Sequence, residues 1–148
     1  MRKLLIIVLL ISVVSSGCRK EEEEINVFPV IEYVSISHTE VVEFDNEVAL
    51  TFSYVDEDGD LGYQDPDTYS LRVKDSRLEN FDWYHIPPMT PEMQSLNISG
   101  EYTVYLNPLF LLGNGAQETT TVTLQLQDRA GNWSNQIVSP EILINDSL

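Results

Sequence analysis

The chain has 148 residues, enough for one domain, and its 24 acidic residues against 8 basic ones leave a formal charge of −16. That surplus excludes a nucleic-acid-binding surface, which needs a basic stripe, and excludes docking to an anionic membrane by charge. One cysteine allows no internal disulfide and no cysteine zinc site, while 43% hydrophobic and 9% aromatic residues suffice for a buried core.

The first element is an address. Arg2 and Lys3 head an apolar run, residues 4–14, interrupted only by Ser12, and the small residues Ser15, Ser16 and Gly17 lead to Cys18. Roughly 20 apolar residues are needed to cross a bilayer, so the run is too short to span one. Its order is that of a secretory signal: positive head, short apolar segment, small residues before a cut. Val14-Ser15-Ser16-Gly17-Cys18 resembles the lipobox of bacterial lipoproteins, with Ser15 where leucine is commonest. The resemblance implies cleavage before Cys18 and an N-terminal lipid on Cys18 as the membrane anchor, since two or more acyl chains hold a protein firmly. It divides the chain into a signal peptide (1–17), a lipidated acidic tether (18–27) and a domain (28–148).

Within the tether, Lys20-Glu21-Glu22 resembles the export signal of Bacteroidota surface lipoproteins. That resemblance implies a lipid-anchored protein of the outer membrane, displayed on the cell surface. By charge alone the run 19–24 is a solvated, self-repelling spacer, which leaves the periplasmic face as the alternative. From Cys18 to Phe28 such a tether reaches at most about 35 Å.

From Phe28 onward the pattern has period two. Val48, Leu50, Phe52 and Tyr54 alternate with polar or small neighbours, as do Tyr69, Leu71 and Val73, then Tyr102, Val104 and Leu106, then Val122, Leu124 and Leu126. Residues 30–36, 81–86 and 136–144 are less regular but rich in β-branched and aromatic side chains. Pro140 places a bulge or an edge in the last of them. Turn signals at Asp58-Gly59, Pro87-Pro88, Asn114-Gly115 and Gly131-Asn132 separate the segments. About seven short strands at this spacing predict an all-β chain folded as a single antiparallel sandwich. Residues 122–132, ending in Asp128-Arg129-Ala130-Gly131-Asn132, resemble the late strand and loop of bacterial immunoglobulin-like domains. The resemblance implies an immunoglobulin-like sandwich. The proline-rich stretch 87–100 reads as a long loop packed as a flap.

Catalytic candidates are few. His38 and His85 are the only histidines and lie far apart in sequence, no glycine-flanked serine elbow occurs, and no phosphate-cradling glycine loop is present. Paired carboxylates suffice for glycoside hydrolysis, but an acidic chain contains such pairs by chance. The chain is read as a non-enzyme.

The dense constellation is residues 56–67, half of them acidic. Asp56, Asp58 and Asp60 stand at alternate positions, with Asp67 twelfth counting from Asp56. It resembles the calcium loop of EF-hand and dockerin-type motifs, because a hard Ca2+ ion wants six to eight oxygens and a tight turn converges alternate carboxylates. Leu61 takes the place of the invariant glycine, the twelfth residue is aspartate, and no helices flank the loop. What is left is a calcium-binding turn between strands, or a solvated acidic turn. If 48–55 and 121–128 are the second and penultimate strands, the loop 128–135 adjoins it, bringing Asp128 and Asn132 as further ligands. Arg129 is the competing counter-charge.

Aromatic residues supply the remaining candidate surface: Phe81, Trp83 and Tyr84 cluster before the flap, with Tyr63, Tyr69 and Trp133 at loop edges. Exposed rings would suit a glycan, and buried ones the core. The expectation is a lipid-anchored envelope module, binding or structural, whose partner is a protein or glycan. The alternative is an accessory glycan-binding lipoprotein of a surface uptake system.

Overall fold

A computed structural model describes residues 25–90 and 96–147; the signal segment 1–17, Cys18, Lys20, Glu21 and Glu22 lie outside the described residues. Ten strands follow in order: β1 (Val30–Ile36), β2 (Glu40–Val42), β3 (Ala49–Asp56), β4 (Leu71–Asp75), β5 (Asp82–Tyr84), β6 (Ile98–Tyr105), β7 (Gln117–Thr120), β8 (Val122–Leu126), β9 (Ile137–Val138) and β10 (Ile142–Asn145). Among the described residues no helix is long and apolar enough to cross a membrane.

The fold is an all-β sandwich. Its strands form three sheets, of order β1-β3-β6, β5-β4-β8-β9 and β2-β10-β7. Counting split segments as one strand, the second lies between the first and fifth, and the penultimate between the third and last. Ten segments appear where about seven strands are expected because three strands are each cut in two. Pro140, which has no N–H to donate, separates β9 from β10. Thr121 separates β7 from β8 at the point where the strand changes partners, from β10 to β4. The first strand leaves β3 after Ile36 and crosses to β10, which it joins as the parallel strand β2.

The alternation read from the sequence sets what is buried. Leu50 and Phe52 of β3 point inward with Ile31, opposite Leu71, Val73, Leu124 and Leu126, and Ile142 and Ile144 extend the same core. Outward residues pair across strands, as Thr51 Oγ1 does with Thr103 Oγ1 at 2.8 Å.

The two ends of the sandwich treat charge in opposite ways. At the end where β4 finishes, Arg77 ties three segments together. It donates to Asp75 Oδ2 at 2.7 Å, to Glu118 Oε2 at 2.7 Å and to the Phe110 carbonyl at 2.9 Å. The Arg77–Asp75 side chains are only 13% and 11% exposed. Burial pushes the Asp75 carboxyl up, but hydrogen bonds from Arg77 and Thr120 outweigh it, and the net direction is below the ordinary 3.8. Main-chain N–H groups of Leu112 and Gly113, then Arg77, lower Glu118 as well.

Both carboxylates have folded pKa values below their unfolded ones. Their contribution is therefore complete above the unfolded values, near pH 4, and is lost as pH falls through the folded ones. We expect Arg77→Ala to lower stability in urea unfolding at pH 7 by about 2 kcal/mol, less than the ~3–5 kcal/mol of a fully buried broken pair. We also expect it to flatten the acid-side decline below pH 4. An unchanged midpoint at pH 7 would mean that the cluster contributes nothing to stability.

Candidate cation site

At the opposite end, where β3 finishes, the charges are alike. Asp56 is the last residue of β3, held in the sheet opposite Ile98 of β6, and it is 0% exposed. The chain then turns sharply: Asp60 donates its N–H to Asp56 Oδ2 at 2.9 Å. Gly59 and Gly62 make the turn with φ of 67° and 80°. A Cβ at either would also lie 2.0 Å from the Leu96 carbonyl oxygen or 2.1 Å from that of Pro87, so only glycine fits.

The approaching backbone is that of the flap. Thr90 Oγ1 donates to the Gly59 carbonyl at 2.6 Å, Tyr63 N–H to the Ile86 carbonyl at 2.9 Å, and Met89 N–H to the Leu61 carbonyl at 3.1 Å. Leu61, in the place where an EF-hand has glycine, is fully buried and plugs the core. The described part of the flap thus packs its backbone against Gly59, Leu61 and Gly62.

Asp56, Asp58 and Asp60 each offer an oxygen to a common point, with all three oxygens within 4.8 Å of one another. In Asp56 and Asp60 the second oxygen, Oδ2, is already used, by Asp60 N–H and by Ala130 N–H at 3.0 Å. The Oδ1 atoms of Asp56, Asp58 and Asp60 are all buried and have no hydrogen-bond partner. Buried oxygens without donors are costly, and three of them on like-charged groups at one point form a ready-made ligand set. Carboxylate oxygens suit the hard cations Ca2+, Mg2+ and Mn2+ rather than zinc or copper. An irregular turn suits Ca2+ over Mg2+, which demands a near-ideal octahedron.

Three other residues expected in the set are not part of it. Asp67 is exposed and outside the convergent group; the loop instead closes on Asp65, which accepts from Asp67 N–H and Thr68 Oγ1. Asp128 is adjacent, bridged to Leu61 across the two loops, and is 0% exposed. Both its oxygens, however, are taken by Asn132, through the main-chain N–H at 2.7 Å and Nδ2 at 2.8 Å. Asp128 and Asn132 thus hold the shape of the second loop and lie outside the convergent triad. That loop is fastened to the triad by Arg129 N–H donating to the Asp60 carbonyl at 3.1 Å.

Arg129 makes no ion pair with the triad. Its guanidinium lies 3.4 Å from the carbonyls of Gly59 and Gly62. Among the described residues the ion pairs are those of Arg77. The triad's electrostatics follow. Burial, and then Asp58, push the Asp56 carboxyl up to about 7. Burial, then Asp128 and Asp58, raise Asp60, with Ala130 N–H and Arg129 opposing.

Of the aromatic candidates, Tyr63 sits in the acidic turn, its hydroxyl donating to the Asp128 carbonyl at 3.0 Å, and Tyr84 packs against the core, whereas Phe81, Trp83 and Trp133 group around Arg72 of β4. Trp83 is 47% exposed, but its ring is tilted 59° to that of Trp133. Arg72 lies between Trp133 and Phe81, 4.1 and 4.7 Å from the two ring centres. The faces are stacked on a guanidinium, and the rings form no flat pair. His38 is bonded to Ser37 and His85 to the Thr68 carbonyl, each at 2.9 Å. The chain matches no family model, no curated protein and no solved structure.

If the triad binds calcium only when folded, calcium at a hundredfold excess over Kd stabilises the protein by about 2.7 kcal/mol. We expect a calcium-dependent rise in Tm on the order of 5–15 °C that chelator reverses, largely abolished in Asp58→Ala and in Asp60→Ala. Because Asp128 and Asp67 are outside the ligand set, Asp67→Asn is expected to keep the full rise. A Tm indifferent to millimolar calcium, with no heat in isothermal titration, would leave an acidic turn and nothing more.

Proposed function

We propose that the protein is a lipid-anchored envelope module, displayed at the cell surface, whose immunoglobulin-like sandwich is locked by calcium and serves binding or structure rather than catalysis. The observation that carries this reading is the trio of buried, unpartnered Asp56, Asp58 and Asp60 oxygens. Such a site has a supply of its metal where calcium is plentiful, outside the cytoplasm, and the lipobox-like segment ending at Cys18 points the same way. Lys20, Glu21 and Glu22 support export to the outer face, and the acidic run that contains them would hold the sandwich off the lipid by charge.

The anchoring half is tested by intact-mass analysis of protein extracted from cell envelopes. We expect a chain starting at an acylated Cys18, and a Cys18→Ser variant released from the membrane fraction. A mature protein that begins at Met1 would overturn it. Replacing Lys20, Glu21 and Glu22 together with alanine is expected to leave the protein lipidated but protected from protease added to intact cells. Unchanged cleavage would reduce the run to a spacer.

A further inference from the structure

The segment leading from the tether is bonded directly to the cation loop. Asn26 donates its main-chain N–H to Glu57 Oε2 at 2.6 Å, and the Val27 carbonyl accepts from Asn132 Nδ2 at 3.1 Å. Asn26 Oδ1 accepts from Phe28 N–H at 3.2 Å, which turns the chain toward β1. Nothing apolar holds this junction, for Ile25, Val27 and Phe28 are 56%, 38% and 54% exposed. A segment with so few buried contacts opens readily unless its hydrogen bonds are held in place.

Both bonds depend on the triad. Glu57 stands between Asp56 and Asp58, so whatever fixes those two fixes its backbone. Asn132 is positioned by Asp128, in a loop pinned to Asp60 through Arg129 N–H at 3.1 Å and Ala130 N–H at 3.0 Å. An acidic cluster alone would say little. Asp56, however, is wholly buried with Oδ1 unpartnered, which points to a ligand at this place.

We propose that a cation held by Asp56, Asp58 and Asp60 clamps residues 26–28 to the end of the sandwich, so that cation occupancy sets how firmly these residues are held there. The clamp rests on the calcium reading above and adds to it a mechanical output. With the ion bound, the three carboxylates are drawn together and Glu57 and Asn132 meet the incoming chain. Without it, their mutual repulsion loosens the turn and releases residues 26–28 from the end of the sandwich, about 10 Å of chain at roughly 3.3–3.6 Å per residue.

Hydrogen exchange by mass spectrometry on the full chain in detergent, in calcium chloride and in EGTA, tests the clamp, with isothermal calcium titration alongside. Peptides covering 25–31 are expected to exchange about tenfold more slowly at Asn26 in calcium, the factor that one charge-assisted hydrogen bond corresponds to. Glu57→Ala is expected to keep calcium binding yet lose the calcium-dependent protection at Asn26, whereas Asp58→Ala loses both. Calcium binding without any change in exchange at 25–31, or full protection in Glu57→Ala, would overturn the clamp and leave the calcium reading standing. No binding and no protection would overturn both.

Discussion

The structure depends on one awkward burial: a carboxylate at the tip of β3, out of water, with two more beside it. At 4.8 Å and an effective dielectric near 20, two unit charges repel by about 3–4 kcal/mol. Three such pairs amount to on the order of 10 kcal/mol, comparable with the whole stability of an ordinary domain, ~5–15 kcal/mol. A fold cannot keep all three charges without neutralising them. Arg129 offsets only part of the charge at Asp60 and pairs with none of the three, and a proton on Asp56 leaves Asp58 and Asp60 still facing one another. A divalent cation at the common point would answer all three at once and supply the partner each Oδ1 lacks.

This burial is not local in its consequences, because four segments of chain meet at the turn. The flap closes over Gly59 and Gly62, the loop after β8 is pinned to Asp60, and the chain leading to β1 is bonded to Glu57. Asn135 adds two bonds of its own to β1, to Ile31 N–H at 2.9 Å and to the Ile31 carbonyl at 2.7 Å. Closure of this end of the sandwich therefore depends on the acidic turn keeping its shape. The other end, closed by Arg77 between Asp75 and Glu118, carries its own counter-charge.

How much of this was legible in the sequence follows from where each signal resides. Leu50 and Phe52, or Leu124 and Leu126, alternate with polar residues because one face of each strand is buried, and period two reports that directly. β2 and β7 escaped because Glu40-Val41-Val42 is only three residues long and Gln117-Glu118-Thr119-Thr120 is wholly polar; they are strands by virtue of their pairing with β10. The nearness of the two acidic loops followed from strand order. The ligand set did not, because counting to twelve assumes an EF-hand path, and the chain turns back at Asp65 before reaching Asp67. Asp128 looks like a ligand by composition, yet Asn132 four residues on uses both its oxygens, a local choice that spacing does not disclose. The bond from Asn26 to Glu57 spans 31 residues and joins two polar segments without pattern, so no sequence signal marks it.

A cation would also be a fitting device for a chain with one cysteine. Small extracellular domains are commonly stapled by disulfides, each contributing roughly 2–4 kcal/mol. With no second thiol to pair, this sandwich has no such staple available. An ion bound at a hundredfold excess over its Kd stabilises by a similar amount, about 2.7 kcal/mol. The two staples differ in one respect. A disulfide closes its loop permanently under oxidising conditions, whereas an ion's contribution scales with its activity outside the cell. A staple at Asp56, Asp58 and Asp60 would thus make the tethered end of the sandwich the part whose order follows the medium. The Arg77 end, whose counter-charge is covalently part of the chain, would keep its order regardless.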